Sequence, residues 1–149
     1  MSRIDALIAL NPPLVLAVLA LVTVQIMKFA ITLIAHRRVD FQRLTGTGGM
    51  PSSHAASVAA LATTVGLQEG WNSPIFGVAA FFSMIVMYDA AGIRRAAGRQ
   101  ARVLNRMIDD LKAHHVIGGE RLIELLGHTP LEVLAGTAYG IALALVLHG

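Results

Sequence analysis

The amino-acid sequence predicts an all-α protein, an integral-membrane helical bundle with about four spans and one basic amphipathic helix at the membrane interface. Hydrophobic residues make up 55% of the chain, charged residues make up only 14%, and the mean hydropathy is +0.64. Soluble domains average about 25% charged residues, so membrane residence is the expected class. No linker or low-complexity tract divides the sequence. We therefore interpret residues 1–149 as a single membrane-embedded domain.

Four apolar stretches are the predicted spans, because a crossing needs about 20 mostly apolar residues. Residues 12–35 are the clearest, and the stretch is too long for the apolar core of a signal peptide, so we interpret it as retained. Residues 54–68 are built from small side chains that let membrane helices approach closely, which predicts a helix buried among the others. Residues 74–92 and 130–148 complete the set.

The charge distribution predicts the orientation. With four spans, two long connections fall on one side of the membrane, residues 36–53 and residues 93–129, and they carry ten of the twelve Lys and Arg residues. Cytoplasmic loops carry an excess of such residues. We therefore expect a multi-pass protein of the cytoplasmic (inner) membrane with both connections facing the cytoplasm.

The second connection begins with a predicted amphipathic helix. Arg95, Arg99, Arg102 and Arg106 follow 4, 3, 4 spacing and share one helix face, with apolar residues opposite. The arginines could lie among lipid head groups, which is the usual behaviour of such stripes. They could instead bind a substrate phosphate, in which case Arg94 and Arg95 are best placed because they follow the third span directly.

A polar cluster stands at the start of the second span. Ser52 and Ser53 precede a predicted helix, whose first N–H groups and positive dipole end form an anion site. The hydroxyls could cap the helix or bind a phosphate, and the sequence leaves both roles open. His54 follows at the same interface and could donate a proton to a leaving oxygen.

A second histidine precedes the fourth span. His128 is followed four residues later by Glu132, and a carboxylate that holds one ring nitrogen would leave the other as a nucleophile. Thr129 and Glu132 also form a capping box, with proline at the first helical position. Glu132 could therefore orient the histidine, fix the helix start, or do both.

These segments resemble one known superfamily. The stretch "MPSSHAASVAAL" resembles the Pro-Ser-x-His motif of the type-2 phosphatidate phosphatase and vanadium haloperoxidase superfamily. The stretch "LGHTPLEVLAGTAYG" is similar to its last motif, in which a histidine is followed four residues on by an acidic residue and a helix of small residues. With "MYDAAGIRRAAGRQARVLN", the chain resembles from end to end the small, divergent bacterial branch of that superfamily.

The resemblance implies a lipid-phosphate phosphatase that uses neither a metal ion nor a cofactor. His128 would attack phosphorus, Glu132 would orient it, and His54 would protonate the departing lipid alcohol. Ser52 and Ser53 would hold the phosphate oxygens. The substrate would be a lipid such as phosphatidate, phosphatidylglycerophosphate or polyprenyl phosphate.

The sequence departs from the superfamily at its phosphate-binding basic residues. Lys28 lacks the Arg-Pro pair that should follow it, and the last motif lacks its arginine six residues before the nucleophile. Arg94 and Arg95 are the obvious replacements. Asp89 and Arg99 would support them, although Asp89 could equally form a structural ion pair. The superfamily fold has six helices, so a four-span version raises a homo-oligomer as an expectation.

Two other hypotheses compete with the enzyme. The chain could be a non-catalytic membrane protein that binds anionic lipid head groups, or a helical subunit whose polar ends serve assembly only. Nucleic acid is not expected as a partner, because the basic residues stand at membrane edges and aromatic residues are only 5%. The absence of cysteine excludes thiolate metal sites, and no known metal-binding spacing occurs.

Overall fold

The computed structural model describes residues 11–36, 49–113 and 128–148. Within these ranges the chain forms five α-helices and their connections. The helices are α1 (Pro12–His36), α2 (Ser53–Glu69), α3 (Pro74–Ala91), α4 (Ile93–Ala113) and α5 (Pro130–His148). The all-helical fold predicted from the sequence is confirmed, and the helix boundaries lie within one residue of the predicted spans.

Local capping explains where α2 and α3 begin. The Ser52 side chain accepts a hydrogen bond from the backbone N–H of Ala55, and Ser73 accepts one from Phe76. Pro74 then occupies the start of α3, where its missing N–H costs nothing. The turn between the two helices uses Gly70, whose φ of 88° is accessible to glycine without strain.

Helix α2 is the centre of the bundle and packs against α1, α3 and α5. Its contact with α5 is very close, because Gly136 and Gly140 of α5 lie against the backbone of α2. A Cβ atom at Gly136 would collide with the carbonyl oxygen of Ser52, and one at Gly140 would collide with that of Ala56. Small residues four apart are a common means of bringing membrane helices into contact.

Three of the described helices are long and apolar enough to cross a membrane, namely α1, α3 and α5. They expose large apolar side chains to their surroundings, as expected for lipid-facing surfaces. The remaining predicted span corresponds to α2, which packs among these three helices. Helix α2 has only 17 residues and is less apolar. It is about 25 Å long at 1.5 Å per residue, shorter than a hydrocarbon core of about 30 Å.

The predicted amphipathic helix is present as α4. Among the described helices it packs only against α3, and much of its surface remains exposed. Arg99, Arg102 and Arg106 are exposed on one face, while Leu104 and Leu111 on the opposite face are 47% and 41% exposed. Because both faces are open, α4 has the character of a helix that lies at an interface.

Candidate functional site

Two helix N-termini meet at one end of the bundle. The backbone N–H of Ser52, at the start of α2, donates to the carbonyl oxygen of Glu132, in the first turn of α5, at 2.9 Å. The close approach at Gly136 brings the two helix starts into direct contact. The positive dipole ends of α2 and α5 are therefore adjacent, which favours a negatively charged ligand there.

The two histidines predicted to act together lie at this junction. The ring centroids of His54 and His128 are 6.3 Å apart, and the ring planes are inclined by 59°. His128 is only 3% exposed, whereas His54 is partly exposed. The fold thus brings the two imidazoles to one place, although they are 74 residues apart in the sequence.

His128 is fixed from two directions. Its backbone N–H donates to the carbonyl oxygen of Ala90 at the end of α3, at 3.1 Å, and its ring Nδ1 lies 3.1 Å from Oε2 of Glu132. The other ring nitrogen, Nε2, is buried and has no hydrogen-bond partner among the described residues. A buried polar atom without a partner is costly, so it is a natural contact point for a ligand.

Glu132 makes both sets of contacts that the sequence left open. Its Oε2 accepts the backbone N–H of Thr129 at 3.0 Å as well as facing His128. The Thr129 hydroxyl in turn accepts the backbone N–H of Glu132 at 3.3 Å, which completes the capping box. One carboxylate oxygen therefore ties the start of α5 to the ring of His128.

The serines occupy the start of α2 and are almost completely buried. Ser52 is the N-cap, and its Oγ accepts the N–H of Ala55 at 3.3 Å. Ser53 is the first residue of the helix and is 2% exposed. The capping role is therefore visible for Ser52. The phosphate-binding role of both serines stays a prediction.

Lys28 lies inside the bundle and is only 6% exposed. Val24, one turn earlier on α1, packs against Ala56 and Ala60 of α2. Because residues four apart share a helix face, Lys28 also faces α2. The phosphate-binding role of this buried lysine stays a prediction.

The remaining predicted residues belong to α3 and α4. Asp89 is half-buried beside Ala90, whose carbonyl accepts the N–H of His128. Arg94 and Arg95 fall in the first turn of α4, so their backbone lies close to the end of α3, but their side chains are outside the described set. Arg99 is on the exposed surface of α4, which does not contact α2 or α5.

The comparisons with known proteins agree with the motifs. The family described as "Divergent PAP2 family" matches residues 9–143. The chain belongs to the divergent PAP2 family. The resemblance stated from the sequence motifs is thereby confirmed at the level of the family.

A second finding places the divergent PAP2 chain in the membrane. It is 43% identical over 148 residues to the uncharacterized membrane protein YuiD of Bacillus subtilis (strain 168), covering 92% of this chain and 94% of that protein. No solved structure matches the chain. Together with the three apolar helices, the match establishes a membrane protein.

Two features of the site were missed in the sequence. The Ala90 carbonyl that holds the backbone of His128 has no sequence signature, because any residue supplies a carbonyl. The contact of α5 with α2 did have a signal. Gly136 and Gly140 stand four residues apart in an apolar helix, a spacing that indicates a close helix–helix contact.

Proposed function

We propose that the protein is a membrane lipid phosphatase that hydrolyses a phosphomonoester through a phosphohistidine at His128. The single observation that carries the proposal is the pair of imidazole rings with centroids 6.3 Å apart, in which His128 is held at Nδ1 and its buried Nε2 has no hydrogen-bond partner in the described part of the chain. A nucleophilic atom must lie about 3 to 3.5 Å from the atom it attacks, and a proton donor about 2.6 to 3.2 Å from the oxygen that it protonates. Two rings at this spacing can therefore both contact one phosphoryl group.

In the first step, the Nε2 lone pair of His128 attacks phosphorus while the bond from phosphorus to the lipid oxygen breaks. The electron pair of that bond goes to the leaving oxygen, which takes a proton from protonated His54. The products are a lipid alcohol, a phosphorylated His128 and a neutral His54. Glu132 accepts the Nδ1 proton in a hydrogen bond and stabilises the ring as it gains positive character.

In the second step, water attacks the phosphorylated His128. Neutral His54 takes a proton from the water, the bond between phosphorus and Nε2 breaks, and inorganic phosphate leaves. The nitrogen lone pair returns to His128 and His54 is again protonated. Both histidines thus end the cycle as they began it, and no external oxidant, reductant or metal is required.

Charge on the phosphoryl oxygens is stabilised by groups at the same end of the bundle. The adjacent N-termini of α2 and α5 supply N–H groups and dipoles, and Ser53 lies in the first turn of α2. The buried ammonium of Lys28 faces α2. Arg94 and Arg95 follow α3 directly in the sequence, and we expect their guanidinium groups to donate paired hydrogen bonds to the phosphate.

The substrate is a lipid phosphate presented from the inner leaflet of the cytoplasmic membrane. The connections at the histidine end of the bundle contain ten of the twelve Lys and Arg residues, which supports a cytoplasmic orientation. The phosphate reaches the site while the apolar part of the lipid stays in the bilayer. Phosphatidate, phosphatidylglycerophosphate and polyprenyl phosphate all satisfy this description.

The first experiment measures phosphate release from these three lipids by the purified protein in detergent. We expect His128→Asn to abolish release and to abolish an acid-labile, alkali-stable phosphoprotein that forms with radiolabelled substrate. Binding of the lipid, measured separately, should largely survive. Turnover at the wild-type rate in this variant would contradict the proposal.

The second experiment separates the two histidines. His54→Asn should lower lipid hydrolysis by about 10² to 10⁴, the range for a positioned acid or base. With p-nitrophenyl phosphate, whose leaving group needs no protonation, phosphorylation of His128 should be far less affected. His148→Asn, at the opposite end of α5, is the matched control and should leave both reactions unchanged.

A non-catalytic role remains the second candidate, and the surface of α4 favours it. The exposed arginines beside exposed apolar residues suit a helix that binds anionic lipid head groups. If that is the whole function, binding to vesicles will weaken with salt and no lipid phosphate will be hydrolysed.

A further inference from the structure

An apolar groove runs along the bundle between α2, α3 and α5. Small or flexible side chains from all three helices line it: Ala59, Thr63, Ala80, Met84, Thr137 and Ile141. Its far end is bordered by Trp71 and Phe76, whose rings pack edge to face with centroids 5.1 Å apart. The groove has a cavity volume of about 240 Å³. That is smaller than the roughly 300 to 1,000 Å³ typical of small-molecule pockets, and it suits a slender occupant.

The hydroxyl groups of Ser83 and Thr137 in the lining already have partners in the protein. Ser83 Oγ lies within hydrogen-bonding distance of the carbonyl oxygens of Val58 and Ala79, at 2.9 and 2.7 Å. Thr137 similarly faces the carbonyl oxygen of Val133 and the sulfur of Met87. These hydroxyls therefore need no polar ligand, and the groove suits hydrocarbon.

One end of the groove approaches the histidine pair. Met87 lines the groove and also packs against a buried cluster formed by Ala55, Ala90 and Val133. Ala55 follows His54 directly, and the Ala90 carbonyl accepts the backbone N–H of His128. Met87 therefore links the groove lining to the residues that border the two histidines.

We propose that this groove holds one hydrocarbon chain of the lipid whose phosphate lies between His54 and His128, an inference that rests on the proposed phosphatase function. From Phe76 to Met87, α3 rises about 16 Å, which is about one leaflet of a hydrocarbon core of roughly 30 Å. A single long chain fits that length. The inference narrows the substrate class to lipid phosphates with a long chain, because a short chain leaves the groove empty.

The test compares two phosphatidates that differ only in chain length, dipalmitoyl and dihexanoyl, in the same detergent. Ala80→Phe places an aromatic ring in the groove. We expect it to lower kcat/KM for the dipalmitoyl lipid about tenfold, since about two buried methylene groups would account for that loss. The dihexanoyl lipid should be hydrolysed at the wild-type rate. Ala142→Phe, at an exposed position of α5 outside the groove lining, should change neither rate.

A graded series keeps the test decisive if the phenylalanine variant does not fold. Ala80→Val and Ala80→Leu should increase the preference for the short-chain lipid in order of side-chain size, with an unchanged unfolding midpoint. If every variant changes the hydrolysis rates of the two lipids by the same factor relative to wild type, the groove inference is wrong. Failure of the wild-type protein to hydrolyse phosphatidate, phosphatidylglycerophosphate and polyprenyl phosphate alike would instead overturn the proposed function.

Discussion

Helices α2 and α4 both carry residues suited to a phosphate ligand, but α2 is buried in the bundle and α4 is largely exposed. Helix α2 is packed on three sides, and its polar N-terminus is buried against α5. Helix α4 packs only against α3 among the described helices, and its arginines at 99, 102 and 106 are exposed.

This difference shows where the fold can hold side chains in fixed positions. Side chains at the start of α2 are held by neighbouring helices, as a reacting group must be. The exposed arginines of α4 remain in a screened environment, where charge acts over distance but does not fix a position. We therefore expect substitutions at the α2–α5 junction to affect folding and turnover, and those at the exposed arginines 99, 102 and 106 of α4 to affect membrane binding.

The largest loss of stability is expected where the backbones of α2 and α5 are in contact. Gly140→Ala places a methyl group against the Ala56 carbonyl, and the backbone cannot move aside as a flexible side chain would. Overpacking of this kind costs about 1 to 3 kcal/mol. The unfolding midpoint in detergent should fall. Gly77→Ala on α3 is the control, because no atom lies within 4 Å of the added methyl group.

A loss of turnover with little loss of stability is expected at Glu132. Glutamine keeps the capping box but removes the negative charge beside His128, so Glu132→Gln should lower phosphate release about 100-fold. Its unfolding midpoint should stay near wild type. Glu132→Ala should lose both turnover and stability. If the glutamine variant hydrolyses lipid normally, Glu132 acts only as a cap.

Much of this comparison was predictable from the sequence because it depends on local signals. The apolar runs and the Ser and Pro residues before them predict the helix starts, and His54 and His128 both stand at such starts. Two helices that enter the bundle from the same side bring their first residues together. The convergence of the rings therefore follows from topology and span order.

The rest depends on tertiary packing that local patterns do not encode. Helix α2 is shorter and less apolar than α1, α3 and α5, and its partners in the bundle cover most of its surface. The sequence does not show which neighbour Lys28 faces, whereas in the structure its face of α1 is turned towards α2. Arg99 shares a sequence stripe with Arg95, but α4 carries it over the exposed surface.

A moderate loss of stability without loss of the histidine contact is expected at Thr129. Thr129→Ala removes the hydroxyl that accepts the N–H of Glu132 and should lower the free energy of unfolding by about 1 kcal/mol. Thr129→Ser keeps an oxygen there and should restore stability. Because Glu132 still faces His128 in both variants, kcat should change little. A large fall in kcat for the alanine variant would show that the cap itself positions the histidine.

The smallest effect, a change in membrane binding, is expected at the exposed arginines of α4. Arg102→Gln removes one exposed charge and should weaken binding to vesicles containing anionic lipid by about 1 kcal/mol, or roughly fivefold, at low salt. Arg102→Lys keeps the charge and is the matched control, which should bind as wild type does. The difference between the two variants should shrink as salt is added, because exposed charges are screened within about 10 Å at 0.1 M ionic strength.

Hydrolysis of a short-chain lipid in neutral detergent should be the same in both variants, since α4 makes no contact with α2 or α5. A fall in that hydrolysis with glutamine but not with lysine would mean that the charge at position 102 acts on the phosphate, and the contrast between the fixed α2–α5 junction and the exposed arginines of α4 would then be wrong.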